Sequence, residues 1–484
     1  RYRCFGFGKL SRQCRQDFRT SNTSRCGRRI VAGQTAQRTL GVENMMSWFL
    51  FLLGITTTFA DTWQCPGHEP SVSFQRIESL GSREMNRYRG YKPAWMALEG
   101  NYRSTIYNWK EEAVREAYLE DRNNYLDPYM YHERIRKLLA SHGSELEVWQ
   151  IAYPHFGNPV YAILIGDSNQ SNKPSIAHTF TIHGNELIGV NYGLDAIEYL
   201  LKADDVRQGL LEDFNLWFVP MVNPDGVWLS MRRAHASTYG KKNGRNTDGT
   251  CEPYAYEGVD ISENFPSRYP SEEPVELESE TIALMELFDR SNTISLLSVH
   301  TGGNGWYTPD LTRDETGVLT NLVDGFATSM TDVLGDAEIK RLRPNSNLGE
   351  VRWFFENYHF PSFIYEYPKD IAPMDHLERE QARAQTLSVM QSYWKTLQAK
   401  AFVRGMVVDQ KGEAISDATL HLPQTLRKEF TWMVSETGDF ALMLPSQEII
   451  DLKVRAEGFV DAQKKVDVRE GSATIRIVLQ QLEN

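Results

Sequence analysis

Three hydrophobic segments far apart in this chain each end on a side chain that can bind a metal or move a proton. They are residues 176–186 (IAHTFTIHGNE), 294–300 (ISLLSVH) and 362–366 (SFIYE). His183, Glu186 and His300 form a two-imidazole, one-carboxylate donor set of the kind that catalytic zinc sites use, with the fourth position left to water. An H-x-x-E pair is a weak signal by itself, and a lone strand-end histidine reads first as a hydrogen-bonded core residue. Context raises both. The pair follows a strand, Gly184 permits a tight turn, and the amphipathic run 187–202 (LIGVNYGLDAIEYLLK) reads as a helix. Glu366, flanked by Phe363, Tyr365 and Tyr367, is the candidate general base, because desolvation between aromatic rings would raise its pKa toward the range useful for taking a proton from water.

Positioning such groups calls for a sheet. In an open α/β sheet ligands bind in the crevice beyond the carboxyl ends of the strands, so side chains just past those ends meet although distant in sequence. Apolar runs at 161–165, 176–182, 214–222, 294–299 and 362–367 read as buried strands, and helices are expected near 187–202, 276–290, 319–334 and 375–398. This alternation predicts an α/β fold: a mixed, largely parallel sheet flanked by helices on both faces. After residue 400 short strand-like runs alternate with turns at Gly412, Gly438, Gly458 and Gly471, which predicts a small all-β sandwich. Residues 61–123, rich in charge and aromatics, read as mostly irregular with one helix near 109–122.

The segments HGNE (183–186), NPDG (223–226), GVDISENFP (258–266), SVHTGG (298–303) and FIYE (363–366), in this order, resemble the M14 zinc metallocarboxypeptidases. The tail, 402–479, is similar to the transthyretin-like sandwich that follows the catalytic domain in the carboxypeptidase N/E subgroup. The resemblance covers about 124–479 and implies a catalytic domain over 124–399 and a transthyretin-like domain over 400–484. It further implies His183, Glu186 and His300 as ligands of Zn2+, Glu366 as the base that activates water, and peptide or protein C-termini as substrates.

The pattern departs from the family where the substrate is gripped. The family reads DLNRNFP where this chain reads DISENFP (260–266), so an asparagine and an arginine that hold the substrate's terminal carboxylate give way to Ser262 and Glu263. Two carboxylates about 4 Å apart repel by on the order of 4 kcal/mol at an effective dielectric near 20. Counting back from Glu366 without a gap, Pro344 falls where the family has the tyrosine that closes over the peptide. Val351, followed by Arg352, falls at the base of the side-chain pocket, and an apolar floor suits an aliphatic or aromatic terminus. Arg352 is a candidate partner for Glu263. The basic stretch 232–245 (RRAHASTYGKKNGR) offers Lys241, Lys242 and Arg245 as cations for the substrate or a developing oxyanion. Two functional classes follow: an active enzyme with an atypical carboxylate site, and a catalytically weak or inactive homologue that binds peptides or proteins.

Composition bounds the alternatives. At 484 residues the chain exceeds the size of a single core, so two or three folding units are expected. A net charge of −12 carries no general nucleic-acid signal and suits an extracellular hydrolase. Residues 1–44 hold ten basic and two acidic side chains and begin at Arg1, whereas Met45 and Met46 open an apolar stretch that ends at Ala60. We read 1–44 as an upstream extension foreign to the working protein, 45–60 as a signal peptide and 61–123 as an N-terminal extension. The expectation is a secreted monomer with no membrane anchor once the signal is removed. Past Ala60 the cysteines are Cys65 and Cys251, a candidate disulfide, and the sequon is Asn169-Gln-Ser, a candidate glycosylation site.

Overall fold

The computed structural model describes residues 69–81, 124–170, 173–231, 241–245, 258–266, 276–309, 318–334, 338–342, 349–373, 375–423, 432–435, 437–444, 449–469 and 471–482. The upstream extension, the signal peptide, the helix expected near 109–122, Cys65, Cys251 and Pro344 lie outside these residues.

In chain order the elements are β1 (Ser71–Ile77), α1 (Pro128–His142), β2 (Glu147–Tyr153), β3 (Val160–Ile165), β4 (Ser175–Phe180), α2 (Gly189–Lys202), α3 (Asp204–Asp213), β5 (Asn215–Val219) and α4 (Pro224–Met231). A 3-10 turn (Ile261–Glu263) precedes α5 (Ser279–Arg290), β6 (Thr293–His300), β7 (Gly305–Pro309), α6 (Val318–Leu334), β8 (Glu338–Leu342), α7 (Gly349–Tyr358), β9 (Ser362–Glu366) and α8 (His376–Gln398). The nine strands form one sheet in the order β1-β2-β3-β5-β4-β6-β9-β7-β8. Its centre, β5-β4-β6-β9, is parallel. The β1-β2, β2-β3, β3-β5 and β7-β9 pairings are antiparallel, so the sheet is evenly mixed rather than largely parallel. A second correction is β1, which pairs with β2 at the sheet edge where the sequence reads as irregular chain. Its poor apolar alternation, SVSFQRI, matches the exposure of an edge strand.

Strand pleating sorts the core into two layers. Leu216, Phe218, Phe363 and Tyr365 pack with α1, α2, α6 and α8, whereas Trp217, Val219 and Ile364 face Leu284 and Phe288 of α5 and Val351 and Phe354 of α7. Helix starts are set locally: Asp127 accepts from Met130 N at 2.8 Å ahead of Pro128 on α1, and Asp375 accepts from Glu378 N at 3.0 Å on α8.

The C-terminal part holds β10 (Ala401–Val408), β11 (Thr419–His421), β12 (Trp432–Met433), β13 (Asp439–Leu444), β14 (Ile449–Arg455), β15 (Ala462–Asp467) and β16 (Ala473–Val478). They make two small sheets, β13-β10-β16 and β12-β11-β14-β15, whose buried residues share one apolar cluster, as an all-β sandwich requires. Contacts that tie this unit to the larger one include Arg404 to Asp213 at 2.6 Å, the Phe214 and Phe402 rings at 5.0 Å, and Trp432 Nε1 donating to His359 O at 3.3 Å. Among the described residues no helix is long and apolar enough to cross a membrane.

Candidate metal centre

The parallel centre of the sheet delivers the three expected donors to one place. His300 is the last residue of β6 and lies in register with Glu366, the last residue of the neighbouring β9. His183 and Glu186 lie in the turn between β4 and α2. That turn begins at Thr181, a β-branched residue held at φ 53°, with its carbonyl accepting from Asn223 N at 3.1 Å. Asn223, fully buried, then fastens the turn: its Nδ2 donates to Ile182 O at 3.2 Å and to Lys241 O at 3.3 Å. This is the local work of the NPDG segment.

His183, Glu186 and His300 place their ligand atoms within 4.8 Å of one another. Both Nδ1 atoms face the Glu186 carboxylate, His183 at 2.6 Å from Oε1 and His300 at 3.4 Å from Oε2. Both Nε2 atoms are engaged on the far side. His183 Nε2 lies 2.9 Å from Ser262 Oγ and 3.5 Å from Asp260 Oδ1, and His300 Nε2 lies 3.0 Å from Ser298 Oγ. Imidazoles that bind metals are held in this way, with one nitrogen presented and the other hydrogen-bonded behind. His300 Nδ1 is buried without a hydrogen-bond partner, a cost that a metal would remove, so the donor set fits zinc.

The electrostatics are those of a compact charged cluster. Burial pushes the Glu186 carboxyl up, but His300 and His183 outweigh it and leave the group at about 2. Burial likewise disfavours charge on the imidazoles, yet the Glu186 carboxylate holds both above the ordinary histidine value. Asp260 is desolvated, but His183 and Lys241 keep its carboxyl well below the usual range. By contrast His178, two turns of pleat back on β4, is a core histidine. Its ring stacks on Phe218 at 4.5 Å, Trp394 Nε1 donates to its Nε2 at 2.9 Å, and burial lowers its pKa to about 3.

Glu366 stands half-buried at the carboxyl end of β9, between β6 and β7, and among the described residues no hydrogen-bond or ion-pair partner holds its carboxylate. The aromatic sandwich expected from sequence is absent for a pleating reason. Phe363 and Tyr365 point to the opposite face, against Trp306, Phe326 and Tyr393, while Tyr365 stacks on Tyr367. What makes room for the carboxylate is Gly303, where a Cβ would lie 1.7 Å from Glu366 Oε2.

The residues expected to grip substrate are distributed differently from the sequence reading. Ser262 is buried, donates to Asp260 Oδ1 at 2.8 Å and meets His183, so it faces a metal ligand rather than a substrate. Glu263 is exposed. Its charge is therefore solvated, and the repulsion of a second carboxylate at about 4 Å falls toward about 1 kcal/mol. Val351 is fully buried among Ile364, Phe354 and Leu284. Arg352 Nε pairs with Glu356 at 2.7 Å, one turn along α7, where sequence proposed Glu263. Arg245 is engaged by Glu278 at 2.8 Å and Glu276 at 2.5 Å. Lys242 is half-buried, with its carbonyl against Gly226 and its Cβ against Gly258. Among the described residues Lys241 is the cation beside the metal donors. Its Nζ lies 2.7 Å from Asp260 Oδ2, and Asp260, Glu263 and Glu186 raise its pKa against the opposing effect of burial. Asn169 is exposed in its loop. Three residues of the site escaped the sequence reading: Asp260, Ser298 and Glu350. The D of DISENFP and the S of SVH were visible signals for two of them.

The sequence profile of the zinc carboxypeptidase family matches residues 131–454. Carboxypeptidase D of Mus musculus is 24% identical over 359 residues, covering 66% of this chain and 24% of that protein. The metallocarboxypeptidase A-like protein of Trichophyton verrucosum is 21% identical over 323 residues, covering 64% of this chain and 63% of its own length. This chain thus spans about a quarter of the length of the mouse relative. Among solved structures, that of thrombin activatable fibrinolysis inhibitor aligns with a TM-score of 0.48 and 15% identity over 57% of this chain and 75% of that one.

Proposed function

From a chain that belongs to the zinc carboxypeptidase family, we propose a zinc-dependent metallocarboxypeptidase that hydrolyses C-terminal residues of peptides or proteins. The observation that carries this is the pairing of a largely buried His183–Glu186–His300 donor set with a glutamate at the adjoining strand end, Glu366, whose carboxylate has no partner among the described residues. His183, Glu186 and His300 would hold the ion. Zinc, when bound, supplies a Lewis acid that polarises a carbonyl and makes water more acidic. Glu366 takes the proton of the attacking water and returns it to the departing amine nitrogen. Lys241 replaces the family's arginine in holding the substrate's terminal carboxylate, charged throughout the physiological range and 38% exposed. Retention of donors, base and a cation together supports catalysis over peptide binding alone. The exposed Asn169, the acceptor of the sequon, supports an extracellular chain. The two-sheet tail supports the transthyretin-like domain of the N/E subgroup.

The test is metal content joined to turnover. Elemental analysis after dialysis should find about one zinc per chain, lost in His183→Ala and in His300→Ala. Glu366→Gln should keep the zinc and lose at least about 10²-fold in kcat on free-carboxylate peptides. Full zinc in both histidine variants, or unchanged turnover in Glu366→Gln, overturns the assignment.

A further inference from the structure

Glu350, the second residue of α7, is fully buried although it is charged and lies outside every motif. Its Oε1 accepts a short hydrogen bond from Ser298 Oγ and lies 3.8 Å from His300 Nε2, while its Oε2 is buried without a partner. Two features keep it there. Gly349 at φ 50° brings the start of α7 so close that a Cβ would meet Ser262 O at 2.3 Å, and the helix N-terminus favours a carboxylate in its first turn. Ser298 sits two residues before His300 on β6, hence on the same face of the sheet.

We propose that Glu350 is a positioning residue that acts through Ser298 to present His300 Nδ1 to the metal; this rests on the zinc reading above. The argument is proton accounting. A serine hydroxyl has one proton, and an ionised carboxylate only accepts. Ser298 gives its proton to Glu350, so its lone pair accepts N–H from His300 Nε2. That fixes the imidazole's orientation and leaves the lone pair on Nδ1, the buried nitrogen facing Glu186. His183 has the corresponding arrangement through Ser262 and Asp260, so each histidine is backed by a serine and a carboxylate. The two carboxylates differ. Asp260 is paired with Lys241, whereas among the described residues Glu350 has no cation at its Oε2, and its tolerated burial is explained by this role.

The experiment compares Ser298→Thr with Ser298→Val, side chains of one shape that differ by the hydroxyl. Zinc affinity is read by competition with a chromophoric chelator, and stability of the metal-free protein by thermal melting. Ser298→Thr should bind zinc within a few-fold of wild type, and Ser298→Val about 10- to 100-fold more weakly, with matching melting temperatures for the metal-free pair. Glu350→Leu, which replaces a buried charge by an apolar side chain that cannot accept from Ser298, should weaken zinc about tenfold without lowering the metal-free melting temperature. Equal zinc affinity in the Thr and Val variants, or wild-type affinity in Glu350→Leu, overturns the proposal while leaving the zinc site intact. Absence of stoichiometric zinc in wild type removes the site itself and this inference with it.

Discussion

Gly303→Ala tests the assignment of the base without altering a single polar atom of the site. The added Cβ would stand 1.7 Å from Glu366 Oε2, 2.8 Å from Cδ and 2.9 Å from the glutamate's own Cβ, while real Cβ contacts stay beyond 3.0 Å. Oε2 must therefore retreat by more than an ångström. The obstructed group is largely the end of a half-buried side chain, so rotation relieves the clash and stability should fall by no more than about 1–2 kcal/mol. Catalysis has no such latitude. A displacement of about 1 Å in a reacting group costs on the order of 10² in rate, or about 2.7 kcal/mol of transition-state stabilisation. The expected result is a fall in kcat near that of Glu366→Gln, with zinc content unchanged and a small drop in melting temperature. Steady-state kinetics on a free-carboxylate peptide, elemental analysis and a thermal melt read all three. Wild-type kcat in a folded, zinc-loaded Gly303→Ala would refute the placement of the base against Gly303.

Two further outcomes are expected. Lys241→Met should weaken a competing peptide with a free terminal carboxylate by roughly 10- to 100-fold, the worth of one charge-assisted contact, and its amidated counterpart far less; equal weakening of both in inhibition assays would show that Lys241 only supports Asp260. Glu280 is pushed up to about 8, by burial first and then by the Asp225 carboxylate, from 4.5 in the unfolded chain. The folded state thus holds the extra proton, so the stability it contributes is complete below about 4.5 and is lost as pH rises through about 8, at up to about 1.4 kcal/mol per pH unit. Melting profiles of wild type should fall across that window more steeply than those of Glu280→Gln, and parallel profiles would exclude Glu280 as the source.

The residues readable in advance were those whose position follows from strand periodicity. His183, Glu186, His300 and Glu366 end apolar runs, and a parallel sheet brings such ends together whatever their sequence separation. Side-chain direction was not readable where the chain leaves the sheet. Ser262, on a 3-10 turn, aims at His183, and no linear pattern encodes that aim. Arg245 and Arg352 were assigned to substrate because a cation's partner is chosen by tertiary neighbours, here Glu278 and Glu356. Glu350 looks like an ordinary acidic residue in a helical first turn until α7 is packed against β6. The edge strands β1 and β8 (SVSFQRI, EIKRL) escaped because edge positions need little apolar alternation, and the interior strands β2 and β7 (EVWQIAY, GWYTP) escaped the sequence reading as well.

Thr181 carries a consequence for how this protein would respond to selection. A β-branched residue at φ 53° costs on the order of 1–3 kcal/mol, its hydroxyl is buried without a partner, and Gly189 is required beside it because a Cβ there would meet that hydroxyl at 2.5 Å. The turn that carries His183 and Glu186 is thus a stressed joint. A library screened for heat resistance alone would favour glycine or asparagine at position 181, which relax the backbone. Those same variants would let the metal-binding turn wander, so ranking by melting temperature and ranking by turnover should run in opposite directions at this one residue.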